Sequence, residues 1–446
     1  MQKKKRQLIL GAGAATVSSA LPLSALLASK NAQADTPART LVATYFPGWC
    51  NPMDASQRWI HGQNPWGIWP MLHHRMGEEQ FADRFPIEGP WKSDGTGGYD
   101  ERQPEYMEAA VEHASAYGVD VFSINWYRDA FLNYAVDNLK RDPAVATNDG
   151  YKISNYSKIK WFLQWSNNSN SQPSTDNRAY FYEGMRLAAH HMKGQPQYWT
   201  IDNQPVFAIF DTTQIDRIIV SEGGTANTTA RNLFLQNCHN IVDNVLNDMP
   251  DGGISLVDNK AVVSTRHTSF QSSMYLVLQS ADPGGWFALK SNQPVPSVNG
   301  MFTYNIRGGN FAGPNTYRKA TSFDEITQAA QAQYELLIPA MSAYPNQGYS
   351  WWPTLMSGYD DRPWYNDGDA RIQQCTPTLG QFEAHCKQVN NVHNSHADVT
   401  CGITFIYAWN EWGEGGWIAP SGPVDHAFDK LIALKKFLKN APPTTA

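Results

Sequence analysis

The chain has 446 residues, enough for one large barrel or two ordinary domains. A hydrophobic share of 42% and a charged share of 17% argue against intrinsic disorder. A net charge of −6, with no basic run beyond the N-terminus, argues against nucleic acid or an anionic membrane as a partner.

Lys3, Lys4, Lys5 and Arg6 precede a mildly apolar stretch, residues 8–27, and Ala32-Gln33-Ala34 has the small-x-small form of a cleavage site. Residues 1–34 therefore read as a secretory signal rather than an uncleaved anchor, and the expected location is secreted or periplasmic. Lys5 stands where a twin-arginine signal has its first Arg, so the export route stays open. Loss of residues 1–34 removes Lys3, Lys4, Lys5, Arg6 and Lys30 and no acid, which moves the net charge from −6 to −11. No later stretch has the roughly 18 apolar residues of a membrane span. Cysteines stand at 50, 238, 375, 386 and 401. Cys375 and Cys386 close the shortest loop and are the expected disulfide, one cysteine is left over, and no Cys/His spacing suggests zinc.

Residues 41–46 read as a first strand, ended by Pro47-Gly48. A long insertion rich in Trp, Pro and Gly follows to about residue 102, longer than an ordinary connection. His73-His74 within it lack a partner acid at helical spacing, so a metal site is not expected. Residues 103–117 carry an apolar stripe (Met107, Ala110, Val111, Ala114, Tyr117) with Pro104 in the first turn, which predicts a helix. Strands are predicted at 119–124, 161–163, 205–210, 274–278, 301–304 and 353–356. Helices are predicted at 180–193 and 230–246, at 322–338 with a Ser322/Glu325 capping box, and at 424–438. Asp367-Gly368-Asp369 has the spacing of a metal–diphosphate site, but its surroundings read as a turn. Strands alternating with helices imply a parallel sheet, and about eight such units favour a closed (β/α)8 TIM-type barrel with long loop insertions, formed as one catalytic domain over residues 35–446.

The last strand is the most informative. Residues 403–409 are an unbroken apolar run, as in a strand buried on both faces. Asn410, Glu411, Trp412, Gly413 and Glu414 follow. A strand would send Glu411 and Glu414 to opposite faces, but Gly413, Gly415 and Gly416 allow the chain to turn so that both carboxylates converge. Cleaving a glycosidic bond needs one carboxylic acid to protonate the leaving oxygen and a second carboxylate to supply or activate the nucleophile. Glu411 and Glu414 are thus the candidate catalytic pair. Tyr45, Asn125, Trp126, Tyr127, Gln164, Trp165, Asn305, Asp360, Asn410 and Trp412 stand at or near strand ends and are the candidate substrate-binding residues: amides for hydroxyls, rings for stacking. An aromatic share of 12% with 16 Trp suits both a core and a sugar-lined groove. No phosphate loop, dinucleotide fingerprint or Gly-x-Ser-x-Gly elbow is present.

Asn410-Glu411-Trp412-Gly413-Glu414-Gly415 is similar to the signature of glycoside hydrolase family 99 and its WbsX-type relatives. Tyr45-Phe46-Pro47-Gly48-Trp49, Arg84-Phe85-Pro86, Tyr117-Gly118-Val119-Asp120 and Asn125-Trp126-Tyr127 resemble that group too, so the likeness spans roughly residues 40–420. It implies retaining hydrolysis of α-mannosidic linkages, with Glu411 deprotonating the sugar's own 2-hydroxyl to give a 1,2-anhydro sugar and Glu414 as general acid, then base. Gly413 stands where those mannosidases commonly have His, and Ala419-Pro420 where an acid before Pro is usual. The expected protein is a secreted retaining glycoside hydrolase with a polysaccharide or oligosaccharide substrate and no cofactor or metal. The alternatives are a WbsX-type glycosyltransferase and a non-catalytic carbohydrate-binding protein. Sugar, linkage and oligomeric state are left open.

Overall fold

The computed structural model describes residues 39–49, 78–89, 99–101, 103–128, 134–140, 154–167, 177–249, 251–257, 260–264, 274–279, 295–310, 317–342, 349–365 and 368–440. All fall within one compact unit, Ala38–Ala446. The signal reading at 1–34, Cys50, His73, His74 and Asp367 lie outside the described residues.

Nine parallel strands form a nearly closed barrel: β1 (Thr40–Tyr45), β2 (Val121–Trp126), β3 (Lys160–Trp165), β4 (Gln204–Ile209), β5 (Tyr275–Gln279), β6 (Gly300–Phe302), β7 (Ser350–Trp352), β8 (Thr354–Met356) and β9 (Ile403–Tyr407). The order runs β7-β6-β5-β4-β3-β2-β1-β9-β8. β7 and β8 are one stretch of chain parted by Pro353. β7 pairs with β6, and β8 pairs with β9. Pro353 has no N–H to give, but its carbonyl still accepts from the Phe405 N–H at 3.0 Å. The two short strands together fill one place in the wall, so the expected eightfold plan holds.

Alternation along the strands sorts the side chains. Phe302 and Phe405 stack inside the barrel with centroids 4.0 Å apart. Tyr304 and Tyr407, two residues further along each chain, reach the carboxyl end of the barrel on the same side. The opposite strand faces pack outward on the helices. Trp165 lies on the Arg178–Met192 helix, where Gly184 leaves room: a Cβ there would come within 2.4 Å of the indole.

Most predicted helices stand within a few residues of their expected limits, as Pro104–Ala116, Arg178–Met192 and Thr228–Leu246. Two differ. The helix begun by Ser322 runs on through Pro339 to Ser342, because a proline's neighbours can keep helical geometry near a helix end. The closing segment is broken into Val424–His426, Asp429–Leu434 and a π-helical Lys435–Lys439, with Ile432 half exposed. The Cys375–Cys386 disulfide is not formed. Both thiols are buried and free, Cys375 donates to the Ala320 carbonyl, and Cys386 sits inside the Leu379–Ser395 helix.

Candidate active site

Beyond β9 the chain forms a small hairpin, β10 (Asn410–Glu411) and β11 (Gly416–Trp417), closed by a 3-10 turn over Trp412–Glu414. Two glycines make the hairpin possible. Gly415 has φ +69°, and a Cβ on it would come within 2.6 Å of the Asp360 nitrogen. Gly416 lies flat on Tyr407, 2.3 Å from a ring carbon to where its Cβ would stand. Gly416→Ala is therefore expected to push the Tyr407 ring aside and cost about 1–3 kcal/mol of stability by overpacking, measured by urea unfolding.

The turn brings Glu411 and Glu414 together. Tyr304 donates its hydroxyl to Glu411 Oε1 at 2.7 Å, and Asn125 donates Nδ2 to Tyr304 at 2.8 Å. Tyr407 donates its hydroxyl to Glu414 Oε2. Burial pushes the Glu411 carboxyl well above the usual range, and the charge of Glu414 adds to this against the Tyr304 hydrogen bond. Burial raises Glu414 as well, against the Tyr407 hydrogen bond and the Arg307 guanidinium. Tyr127, partly exposed, is raised by burial and by the charges of both acids. Arg307 stacks on the Tyr359 ring at 4.5 Å and pairs with Asp361 at 3.2 Å.

A second layer fixes the hairpin. Asp360 is fully buried between Arg84, at 2.5 Å, and Arg362, at 2.6 Å. Burial works to raise its carboxyl, but the hydrogen bonds and charge of Arg362 and the charge of Arg84 outweigh this and hold it below the usual range. Arg84 also donates to the carbonyls of Asp360 and Trp412, at 2.9 and 3.0 Å, so one guanidinium holds the turn between the two glutamates. From the other side Lys430 donates to the carbonyls of Ser357 and Trp417, at 3.0 and 2.9 Å.

Of the residues expected to bind substrate, Asn125 and Tyr127 join the glutamates. Gln164 lies inside the barrel, accepting from Ser123 at 3.0 Å, and Asn305 is half-buried two residues before Arg307. Trp126 and Trp165 do not face the site. Asn125 and Gln164 point inward, so the next residue on each strand points outward, and the two indoles pack together at 5.8 Å. Trp412 is buried against Trp49 and Tyr99, and Tyr45 is buried against Tyr99 and Glu101. Asp360 is bound on both sides by arginine, and Asn410 is spent on the Phe46 backbone. Tyr304, Tyr407, Arg307, Arg84 and Glu101 were not among the expected residues. The two tyrosines continue the inward alternation of Phe302 and Phe405, a signal that was available; Arg84 stood in the Arg84-Phe85-Pro86 motif of the resemblance without a role assigned to it, and Glu101 carried no signal. Among the described residues, no three His, Cys, Asp or Glu side chains are grouped to hold a metal ion, and no helix is long and apolar enough to cross a membrane.

The family model described as glycosyltransferase WbsX matches residues 42–432. Similar solved structures include the GH99 endo-alpha-mannosidase from Bacteroides thetaiotaomicron in complex with BIS-TRIS-Propane, 11% identical with TM-score 0.51, covering 90% of this chain and 97% of that one. Another structure of a GH99 endo-alpha-mannosidase from that organism is 13% identical with TM-score 0.50, covering 90% and 96%. A glycoside hydrolase-like protein is 12% identical with TM-score 0.52, covering 90% and 94%. At these identities the likeness is one of fold. No curated protein matches the chain.

Proposed function

The chain belongs to the WbsX family, and from that premise we propose that it is a retaining glycoside hydrolase acting on a polysaccharide or oligosaccharide. The observation that carries this reading is the carboxyl pair of buried Glu411 and half-buried Glu414, each held by a tyrosine hydroxyl at the carboxyl ends of the barrel strands. Transfer from a sugar nucleotide, the alternative reading, needs a cradle for a diphosphate; among the described residues, Arg307 is the cation that acts most strongly on Glu414.

In the reaction we propose, Glu411 takes the proton of the sugar's 2-hydroxyl. That oxygen attacks the anomeric carbon as the bond to the leaving oxygen breaks, and Glu414 protonates the leaving oxygen. Glu414 then takes a proton from water, water oxygen bonds to the anomeric carbon, the 1,2-anhydro ring opens, and Glu411 returns its proton to the 2-oxygen. Two like charges in one buried site cannot both ionise easily, so the pair holds one proton near neutral pH. In the free protein Arg307 favours the ionised form of Glu414, and burial favours the neutral form of Glu411. Substrate binding must therefore shift the proton to Glu414, or the two roles are exchanged. A leaving group that needs no protonation separates these cases. With Glu414 as the acid, Glu414→Gln recovers most of its lost rate on a dinitrophenyl glycoside and Glu411→Gln does not; the opposite pattern exchanges the roles.

Arg307 sets the pH at which the acid works. Its charge lowers Glu414, so Arg307→Met is expected to move the alkaline limb of the kcat profile to higher pH. We further read residues 1–34 as an export signal. Its test is the N-terminal sequence of the protein recovered outside the cytoplasm, which should begin near residue 35.

A further inference from the structure

We propose that Glu101 is a positioning residue that latches the acid-bearing hairpin to the end of β1, a role that rests on the reading of Glu411 as a catalytic group. Glu101 is 1% exposed. Its Oε2 accepts from the Tyr45 hydroxyl at 2.6 Å, and Tyr45 meets the Tyr99 hydroxyl at 2.8 Å. Its Oε1 accepts from Asn410 Nδ2 at 3.3 Å. Asn410 is tied to the first strand by both ends of its amide: Oδ1 accepts from the Phe46 N–H at 2.7 Å, and Nδ2 donates to the Phe46 carbonyl at 2.8 Å. Trp49 closes the circuit. Its indole donates to the Asn410 carbonyl at 2.7 Å, and its own carbonyl accepts from the Glu101 N–H at 2.9 Å. The Glu101 carbonyl is held in turn by Asn138 Nδ2 at 3.2 Å. Every hydrogen-bonded path from the end of β1 to the hairpin in this network passes through Asn410, and the next residue is Glu411. A displaced Glu101 therefore displaces the base.

The latch works best without charge. Burial pushes the Glu101 carboxyl up to about 8, against the hydrogen bonds from Tyr45, Tyr99 and Asn410. The groups facing it are Tyr45 from β1, Tyr99 and Asp100 from its own segment and Asn410 from the hairpin. Glu88 acts on Tyr45 and is itself 3.0 Å from His113 of the Pro104–Ala116 helix. Among the described residues, none of the groups acting most strongly on Glu101 is a cation, so raising the pH through about 8 leaves a buried charge facing the neutral donors Tyr45, Tyr99 and Asn410. The hairpin is then expected to loosen where Asn410 holds it.

Hydrogen exchange of the peptide spanning residues 410–417 reads this directly and needs no substrate. The comparison is wild type, Glu101→Gln and Glu101→Ala at pH 6 and pH 9, with rates corrected for intrinsic exchange. Wild type should exchange about fivefold faster at pH 9 than at pH 6, Glu101→Gln equally at both, and Glu101→Ala fast at both, as expected when a local opening becomes easier. If wild type and Glu101→Gln respond to pH alike, or if Glu101→Ala leaves this peptide unchanged, the proposal fails. The isosteric Glu101→Gln decides the matter if Glu101→Ala does not fold. Where a cleaved glycan is in hand, kcat should follow the exchange while KM moves less. Failure of wild type to cleave any glycan would count against the glycosidase reading, while the exchange result alone judges the latch.

Discussion

Replacing Glu411 by Gln is expected to remove nearly all hydrolysis and, at pH 8, to make the protein more stable. The loss follows from the proposed role: a positioned base or acid contributes about 10²–10⁴ in rate, and an amide can neither take nor give the proton. The gain follows from burial. Glu411 is buried with its carboxyl raised well above the usual range, first by loss of solvent and then by Glu414. In the unfolded chain it ionises near its ordinary value. Between those two values the native state holds a proton that the unfolded state has released, so stability falls as pH rises through that window. Below the ordinary carboxylate range both states are protonated and the substitution is nearly neutral. The variant carries no such proton, and should be more stable than wild type at pH 8. Urea unfolding at pH 4 and pH 8 checks the sign. Equal stability changes at both pH values would mean that Glu411 is not held protonated by burial.

Arg84→Met is expected to be the most damaging single change outside the glutamate pair. Arg84 is buried, and its side chain meets the Asp360 carboxylate, the Asp360 carbonyl and the Trp412 carbonyl. Methionine fills much of the volume and meets none of them. Breaking a buried pair by removing one partner costs about 3–5 kcal/mol, and the lower end applies here because Arg362 still holds Asp360. The freed Trp412 carbonyl lies in the turn between Glu411 and Glu414, so activity should fall along with stability. Arg371→Met is the control. Arg371 is exposed and its partner Asp369 stands two residues away, so no measurable change is expected.

How much of this was legible in the chain itself depends on where each signal lives. The barrel was legible, since parallel strands buried on both faces leave continuous apolar runs, and residues 403–409 are such a run. The acid pair was legible because two glutamates, three glycines and an amide at a strand end make an unusual surface loop. The tryptophans misled for a local reason. In Asn125-Trp126 and Gln164-Trp165 the amide and the ring cannot both face the site, and register gave the inward place to the amide. Pro353 hid a strand by splitting it. The pairings of Arg84, a residue noted only for its motif, and of Glu101 were out of reach, because their partners Asp360 and Asn410 lie 276 and 309 residues away. The free Cys375 and Cys386 show that a short loop alone does not make a disulfide.

One experiment bears most directly on the central claim, that the pair of glutamates on a tyrosine-backed hairpin cleaves a glycosidic bond. It is a panel of polysaccharides and oligosaccharides incubated with wild type, Glu411→Gln and Glu414→Gln, with new reducing ends measured and the anomer of the fresh product followed by NMR. The result expected is cleavage of at least one glycan by wild type with retained configuration, and a loss in both variants of about two orders of magnitude or more. Hydrolysis at the wild-type rate in both variants would contradict the account.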